Sequence, residues 1–387
     1  MSHEIAQKYV APESLTPEHL TIERIEFIPI RMKLPRVFSG SNYFMSHRCT
    51  IITRLYTRDG IVGESYNGDE YEGQKAVMNA LEKIAPMVIG MSAMEVEKIW
   101  DTTIVSTFDI LGDRGAAIQA QACIDSAVWD AVGKALGQPL YRLWGGSKTE
   151  LPVLAIAGYY GEGKKLSDYE EEMVMLRDRG LGGCKFKIGG KSPKEDADRV
   201  RAAFAVADDD FRICVDANQG WELRQAMEFS RLVSDLDLLW FEEPCRWYDD
   251  RRSMALLRAN TGIPITAGQS ENSRRGCLDL MTDNAIDYCN FDASWGGGPT
   301  EWRRVASLAR CFSVTMAHHE EPQVSAHLLA SVPNSSYLEV FHPDRDPLFY
   351  KIVKNRNEFR NGWYEVPTGP GLGLQLDEDV IAKYRID

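Results

Sequence analysis

Eight short apolar runs recur through the second part of this chain, and their rhythm limits the folds open to it. They lie at 153–157, 184–188, 212–216, 238–242, 264–268, 288–292, 312–318 and 337–341. Each is followed by a helix-like stretch. Successive runs start roughly 22 to 30 residues apart, the pitch of a strand plus a crossover helix. Eight such units predict a (β/α)8 barrel, with the last unit open to being incomplete. The expected fold is therefore α/β: a modified TIM-like barrel with an N-terminal α+β capping domain, completed by the C-terminal segment.

The cap is read from residues 1–145. The first 20 or so residues are polar and predict a loose arm. Residues 21–30 alternate like a strand, and 49–66 read as a hairpin around Asp59-Gly60, because this pair supplies the positive φ of a tight turn. Helical patterns fill about 70–135, ending in an Ala-rich stretch that stops at Gly137-Gln138-Pro139. The barrel is expected over 146–350. Residues 351–387, with Pro367-Thr-Gly-Pro-Gly-Leu-Gly, are expected to pack back on the cap.

Composition narrows the function classes. The chain has 387 residues, 44% hydrophobic and 26% charged, which fits a globular protein and excludes wholesale disorder. Its net charge of −13 argues against non-specific nucleic-acid binding, which calls for a basic surface. No run approaches the ~18 to 20 apolar residues of a membrane span, and no secretory pattern opens the chain. A cytoplasmic protein is expected, with its eight scattered cysteines reduced and buried.

Active sites of such barrels lie where the strands end. Here those ends carry Lys185 and Lys187, Asp216 and Asn218, Glu242-Glu243-Pro244, Gln269 and Glu271, Asp292, His318-His319, and Glu339. Each alone is ordinary: a Lys-x-Lys is usually a solvated edge, and a lone histidine usually packs. Together at consecutive strand ends they are not, because buried like-sign ions are costly unless paired or metal-bound. Oxygen side chains converging there suit a hard cation such as Mg2+.

These residues carry a resemblance to the mandelate racemase subgroup of the enolase superfamily. It spans nearly the whole chain and is most specific in 122–140, Lys185-Phe-Lys-Ile-Gly, Val215-Asp-Ala-Asn-Gln, Phe241-Glu-Glu-Pro, and His319 followed by Ser325-Ala-His-Leu-Leu. The resemblance implies Asp216 and Glu242 as Mg2+ ligands, with Glu243 behind them. It implies Lys187 as the base on one face of the substrate α-carbon, with Lys185 touching the substrate carboxylate and depressing the pKa of Lys187. His319 becomes the acid/base on the other face, oriented by Asp292. Asn218 and Glu339 match polar groups near the metal and the substrate carboxylate. The chain departs from the pattern at the third ligand, where Gln269 replaces the family's Glu. Gln269 is favoured there, with Glu271 as the alternative.

What the resemblance implies chemically is removal of the proton α to a carboxylate. The reading preferred is a hydro-lyase that dehydrates a sugar acid, aldonate or aldarate, to a 2-keto-3-deoxy acid. Polar and aromatic segments around Tyr43 and Tyr66 are expected to contact the substrate, and 157–164 resembles tartrate-type dehydratases. A 2-hydroxy-acid racemase or epimerase, or a non-catalytic ligand-binding barrel suggested by Gln269, stay open. A homo-oligomer with a small-molecule substrate, and no nucleic-acid or membrane partner, completes the expectation.

Overall fold

The computed structural model describes residues 20–68 and 73–386. The N-terminal arm expectation, and residues 69–72 of the segment after Tyr66, fall outside them.

Three antiparallel strands open the fold: β1 (Ile22–Ser39), β2 (Phe44–Thr57) and β3 (Val62–Asn67). The β2–β3 turn contains Gly60 at φ 80°. Helices α1 (Gln74–Val88), α2 (Val96–Ile104) and α3 (Arg114–Ala135) pack on this meander. Asp113 caps α3 by accepting from the Ala116 N–H. Most of α3 is buried, because its small side chains let it sit between the meander and the barrel. Part of the cap–barrel seam is polar. Asp125 of α3 accepts from the backbone N–H and hydroxyl of Thr300 at 2.8 and 2.7 Å. Gly298 allows this contact: at φ 93°, a Cβ there would lie 2.4 Å from Asp125 Oδ2.

The barrel strands are β4 (Glu150–Ala157), β5 (Gly183–Lys187), β6 (Arg212–Asp216), β7 (Phe241–Glu242), β8 (Ile265–Ala267), β9 (Tyr288–Cys289), β10 (Thr315–Met316) and β11 (Leu338–Phe341). From β4 to β10 they pair in sequence order, all parallel. β11 pairs with β4 and closes the ring, while a Met316–Ser335 bridge joins the β10 side. The eight apolar runs thus correspond to eight strands. Several hydrogen-bonded ladders are shorter than their runs, only two residues at β7, β9 and β10.

The C-terminal segment divides. Strands β12 (Phe359–Arg360) and β13 (Trp363–Glu365) form a hairpin that extends the barrel sheet antiparallel to β4. Farther on, Arg385 bridges to Ile30, and the Ile386 N–H donates to Pro29 O of β1. Seven cysteines are buried, Cys311 is exposed, and all eight are free thiols. Among the described residues no helix is long and apolar enough to cross a membrane.

Candidate active site at the barrel mouth

Strand β5 reads Gly-Cys-Lys-Phe-Lys and is buried throughout. Residues i and i+2 share a face. Phe186 turns outward and packs on Tyr169, which leaves Lys185 and Lys187 on the inner face. Both are almost completely buried. Lys185 Nζ donates to Glu242 Oε1 at 2.7 Å and Glu339 Oε2 at 2.8 Å, with Asp216 Oδ2 at 4.0 Å. Lys187 Nζ donates to Asp216 Oδ2 at 2.6 Å and Asn218 Oδ1 at 3.0 Å. Asp216 Oδ1 accepts from the Asn218 N–H, and Glu242 Oε2 from the Trp240 indole N–H.

Three carboxylates, Asp216, Glu242 and Glu339, therefore face two ammonium groups where all five side chains are at most 2% exposed. Glu339 Oε1 is buried with no hydrogen-bond partner. The surplus negative charge and the orphan oxygen fit a cation held by oxygen donors. Burial pushes the Glu242 carboxyl well up, and neighbouring Asp216 and Glu339 add to it. For Asp216 burial also pushes upward, but Lys187 and Lys185 outweigh it and hold the carboxyl low.

One expectation is overturned. The pKa of Lys187 is not depressed on balance. Burial works downward on Lys187, but the Asp216 carboxylate in contact with it prevails and its pKa stands well above the usual lysine value. The like charge of Lys185 is the weaker influence, because Lys185 is itself neutralised by Glu242 and Glu339.

Gln269 follows β8 across Gly268, whose φ of 136° turns the chain at the strand end. Its amide is fixed from two sides: Nε2 donates to Glu243 Oε2 at 2.8 Å, and Oε1 accepts from Asn290 Nδ2 at 3.2 Å. Glu243 also accepts from Ser270 and Gln219. Glu271 turns elsewhere: its Oε2 packs so tightly on Gly276 of the next helix that a Cβ there would lie 1.7 Å away. Of the residues expected to hold a metal, Asp216 and Glu242 lie in the buried cluster, whereas the Gln269 amide is engaged by Glu243 and Asn290. Among the described residues no three His, Cys, Asp or Glu side chains are grouped so as to hold a metal ion.

The two adjacent histidines have different environments. His318 is fully buried, donates from Nδ1 to His319 O at 2.8 Å and accepts the Ala293 N–H on Nε2 at 3.0 Å. Burial pushes its pKa down to about 3, so it is neutral and structural. His319 instead directs Nδ1 to Asp292 Oδ2 at 2.9 Å and Nε2 to Glu320 Oε1 at 3.0 Å. Burial raises Asp292 to about 6. Its Oδ1 accepts from the Ser294 N–H at 2.7 Å, and Ser294 Oγ accepts from Asn67 of β3. The cap thereby braces the loop that holds the dyad.

The cap loop after β1 lies over the ends of β4 and β6. Tyr160 N–H donates to Ser39 O, and Ser41 Oγ donates to Asn218 O. This brings the Tyr43 ring 5.8 Å from Lys187 Nζ. Tyr159, not singled out from sequence, has its ring 6.0 Å from the same nitrogen and a buried hydroxyl without a partner. Its position after β4 was the available signal. Tyr66 is not brought to this cluster. It is fully buried in the barrel-side core, where its environment includes Asp346, Glu321 and Arg48.

Known proteins resemble this chain in sequence and in fold. Residues 168–380 match the enolase C-terminal domain-like family, and 29–145 match the mandelate racemase / muconate lactonizing enzyme N-terminal domain. The arabinonate dehydratase of Saccharolobus solfataricus is 31% identical over 87% of this chain and 90% of its own. The N-succinyl-L-Arg/Lys racemase of Bacillus cereus is 27% identical over 95% and 98%. A crystal structure of a mandelate racemase/muconate lactonizing enzyme from a marine actinobacterium, in complex with magnesium, is 48% identical, with TM-score 0.89 over 95% of this chain and 100% of that one.

Proposed function

The chain belongs to the mandelate racemase / muconate lactonizing enzyme family of the enolase superfamily, and we propose that it is a Mg2+-dependent hydro-lyase acting on a sugar acid, an aldonate or aldarate. The observation that carries this reading is the buried cluster of Lys185, Lys187, Asp216, Glu242 and Glu339 beside the Asp292–His319 dyad. Asp216, Glu242 and the Gln269 carbonyl oxygen would hold the metal. When bound, Mg2+ supplies Lewis-acid stabilisation of charge developing on the substrate carboxylate.

The chain's residues supply the rest. Lys185 holds the substrate carboxylate. Lys187, paired with Asp216 in this structure, would be freed to take the α-proton as general base where Asp216 holds a cation instead. The electron pair of that C–H bond forms a C=C bond as the β C–O bond breaks. His319, oriented by Asp292, gives a proton to the departing hydroxyl, which leaves as water. The enol product tautomerises to a 2-keto-3-deoxy acid. Tyr43 and the cap loop around it restrict the mouth.

A racemase or epimerase is the second reading, favoured by the same lysine and histidine and by the racemase relative. Proton NMR of sugar acids incubated with protein and Mg2+ in D2O separates the two. Dehydration gives a keto acid whose C3 keeps one proton and gains one solvent deuteron, a new CHD signal. Racemisation gives α-deuteration with no keto product, and that result would refute the hydro-lyase reading.

A further inference from the structure

We propose that Glu320 is a second carboxylate partner of His319 and fixes a proton on each nitrogen of the ring, so that His319 enters the reaction as an acid. His319 is bounded on three sides. Asp292 Oδ2 lies 2.9 Å from Nδ1, Glu320 Oε1 lies 3.0 Å from Nε2, and the Trp295 ring is centred 5.0 Å away. An ionised carboxylate only accepts hydrogen bonds. Two ionised carboxylate oxygens, one at each ring nitrogen, are both satisfied by N–H groups on both sides. Glu320 is 6% exposed, so little water competes for its place.

The backbone is bent to put Glu320 there. Glu320 and Glu321 both have φ of 50°, the left-handed region that glycine and asparagine prefer. Such strain persists where the surroundings over-determine it. Here the Glu320 N–H donates to Glu339 Oε2 at 3.2 Å. Glu321 pairs with the buried guanidinium of Arg48 on β2 at 3.2 Å and also engages Gln323. Arg48 is in turn 3.1 Å from Asp346, beyond β11. The cap thus clamps the His319 segment from behind.

An imidazole with both nitrogens protonated gives a proton and cannot take one. The α-proton then goes only to Lys187. In the elimination the leaving hydroxyl displaces Glu320 from Nε2 and receives the proton held there. This consequence rests on the hydro-lyase reading; the proton count on His319 does not.

The test uses the full-length chain labelled with 15N-histidine, in Mg2+ and without substrate, at neutral pH. The His319 ring signals are assigned by their loss in His319→Asn. Two ring N–H protons are expected on His319, and loss of the Nε2 proton in Glu320→Gln with the Nδ1 proton retained. Glu320→Asn, which removes the carboxylate while suiting the left-handed backbone, is expected to give the same loss and serves if the first variant does not fold. A single ring N–H in the wild type, or both protons persisting in either folded variant, would overturn the proposal. No turnover is required, so this failure is distinct from failure of the dehydratase assay.

Discussion

His318→Gln isolates a proton linkage that the fold predicts. His318 is held neutral, its pKa pushed from 6.5 to about 3 by complete burial. Between those values the unfolded chain binds a proton that the folded chain refuses, so stability falls as pH falls through 6.5 toward 3. Integrating the two titrations from pH 7.5 down to pH 4.5 gives a loss of about 2.7 kcal/mol from this one side chain. His327, pushed to about 4 by burial, has the same sign. Asp125 and Glu321, both raised to about 7 by burial, have the opposite sign and strengthen the fold as pH falls through that range. The wild-type profile alone is therefore not diagnostic, whereas the difference between wild type and His318→Gln is. Gln keeps an acceptor for the Ala293 N–H and removes the titration. Urea unfolding followed by tryptophan fluorescence at pH 7.5 and pH 4.5 measures it. The variant is expected to be the less stable at pH 7.5, by about 1 kcal/mol for the lost bond to His319 O. By pH 4.5 it should have gained on the wild type by about 2.7 kcal/mol. Parallel behaviour at the two pH values would refute a neutral, buried His318.

Three further outcomes are expected. Lys187→Ala and His319→Asn should each lower turnover by about 10²-fold or more while circular dichroism stays unchanged, and wild-type rates in either would remove that residue from the mechanism. Gln269→Glu places a carboxylate oxygen against Glu243 where an amide N–H now donates. The variant should melt lower without metal and show a larger Mg2+-induced rise in Tm than wild type; an equal rise would argue against position 269 as a ligand. Arg48→Met leaves Glu321 and Asp346 buried without their shared cation, and should cost about 3–5 kcal/mol in chemical denaturation.

The barrel was legible because each strand is a short apolar run ending in polar residues, a pattern set by a buried waist and a wet mouth. The ladders are shorter than the runs because tilted, staggered strands pair only where neighbours overlap. Thus Leu238–Trp240 continue the apolar run outside the β7 ladder, and Trp240 reaches Glu242 through its indole instead. The strand-end residues could be read because i, i+2 spacing on β5 puts both lysines on one face. What could not be read depends on distant pairs. Arg48 meets Glu321 across 273 positions, and no local pattern announces it. The direction of the Lys187 shift was missed for the same reason. Like charge two residues away is visible in sequence, whereas a carboxylate 29 residues on, placed at 2.6 Å by strand register, is not.

The central claim is tested most directly by incubating the protein with a library of mono- and di-acid sugars and reading 2-keto acid as semicarbazone absorbance, with Mg2+ and with EDTA. The account predicts absorbance with at least one sugar acid, abolished by EDTA and absent in Lys187→Ala. A library without keto-acid product in Mg2+, or product that persists in EDTA, would contradict it.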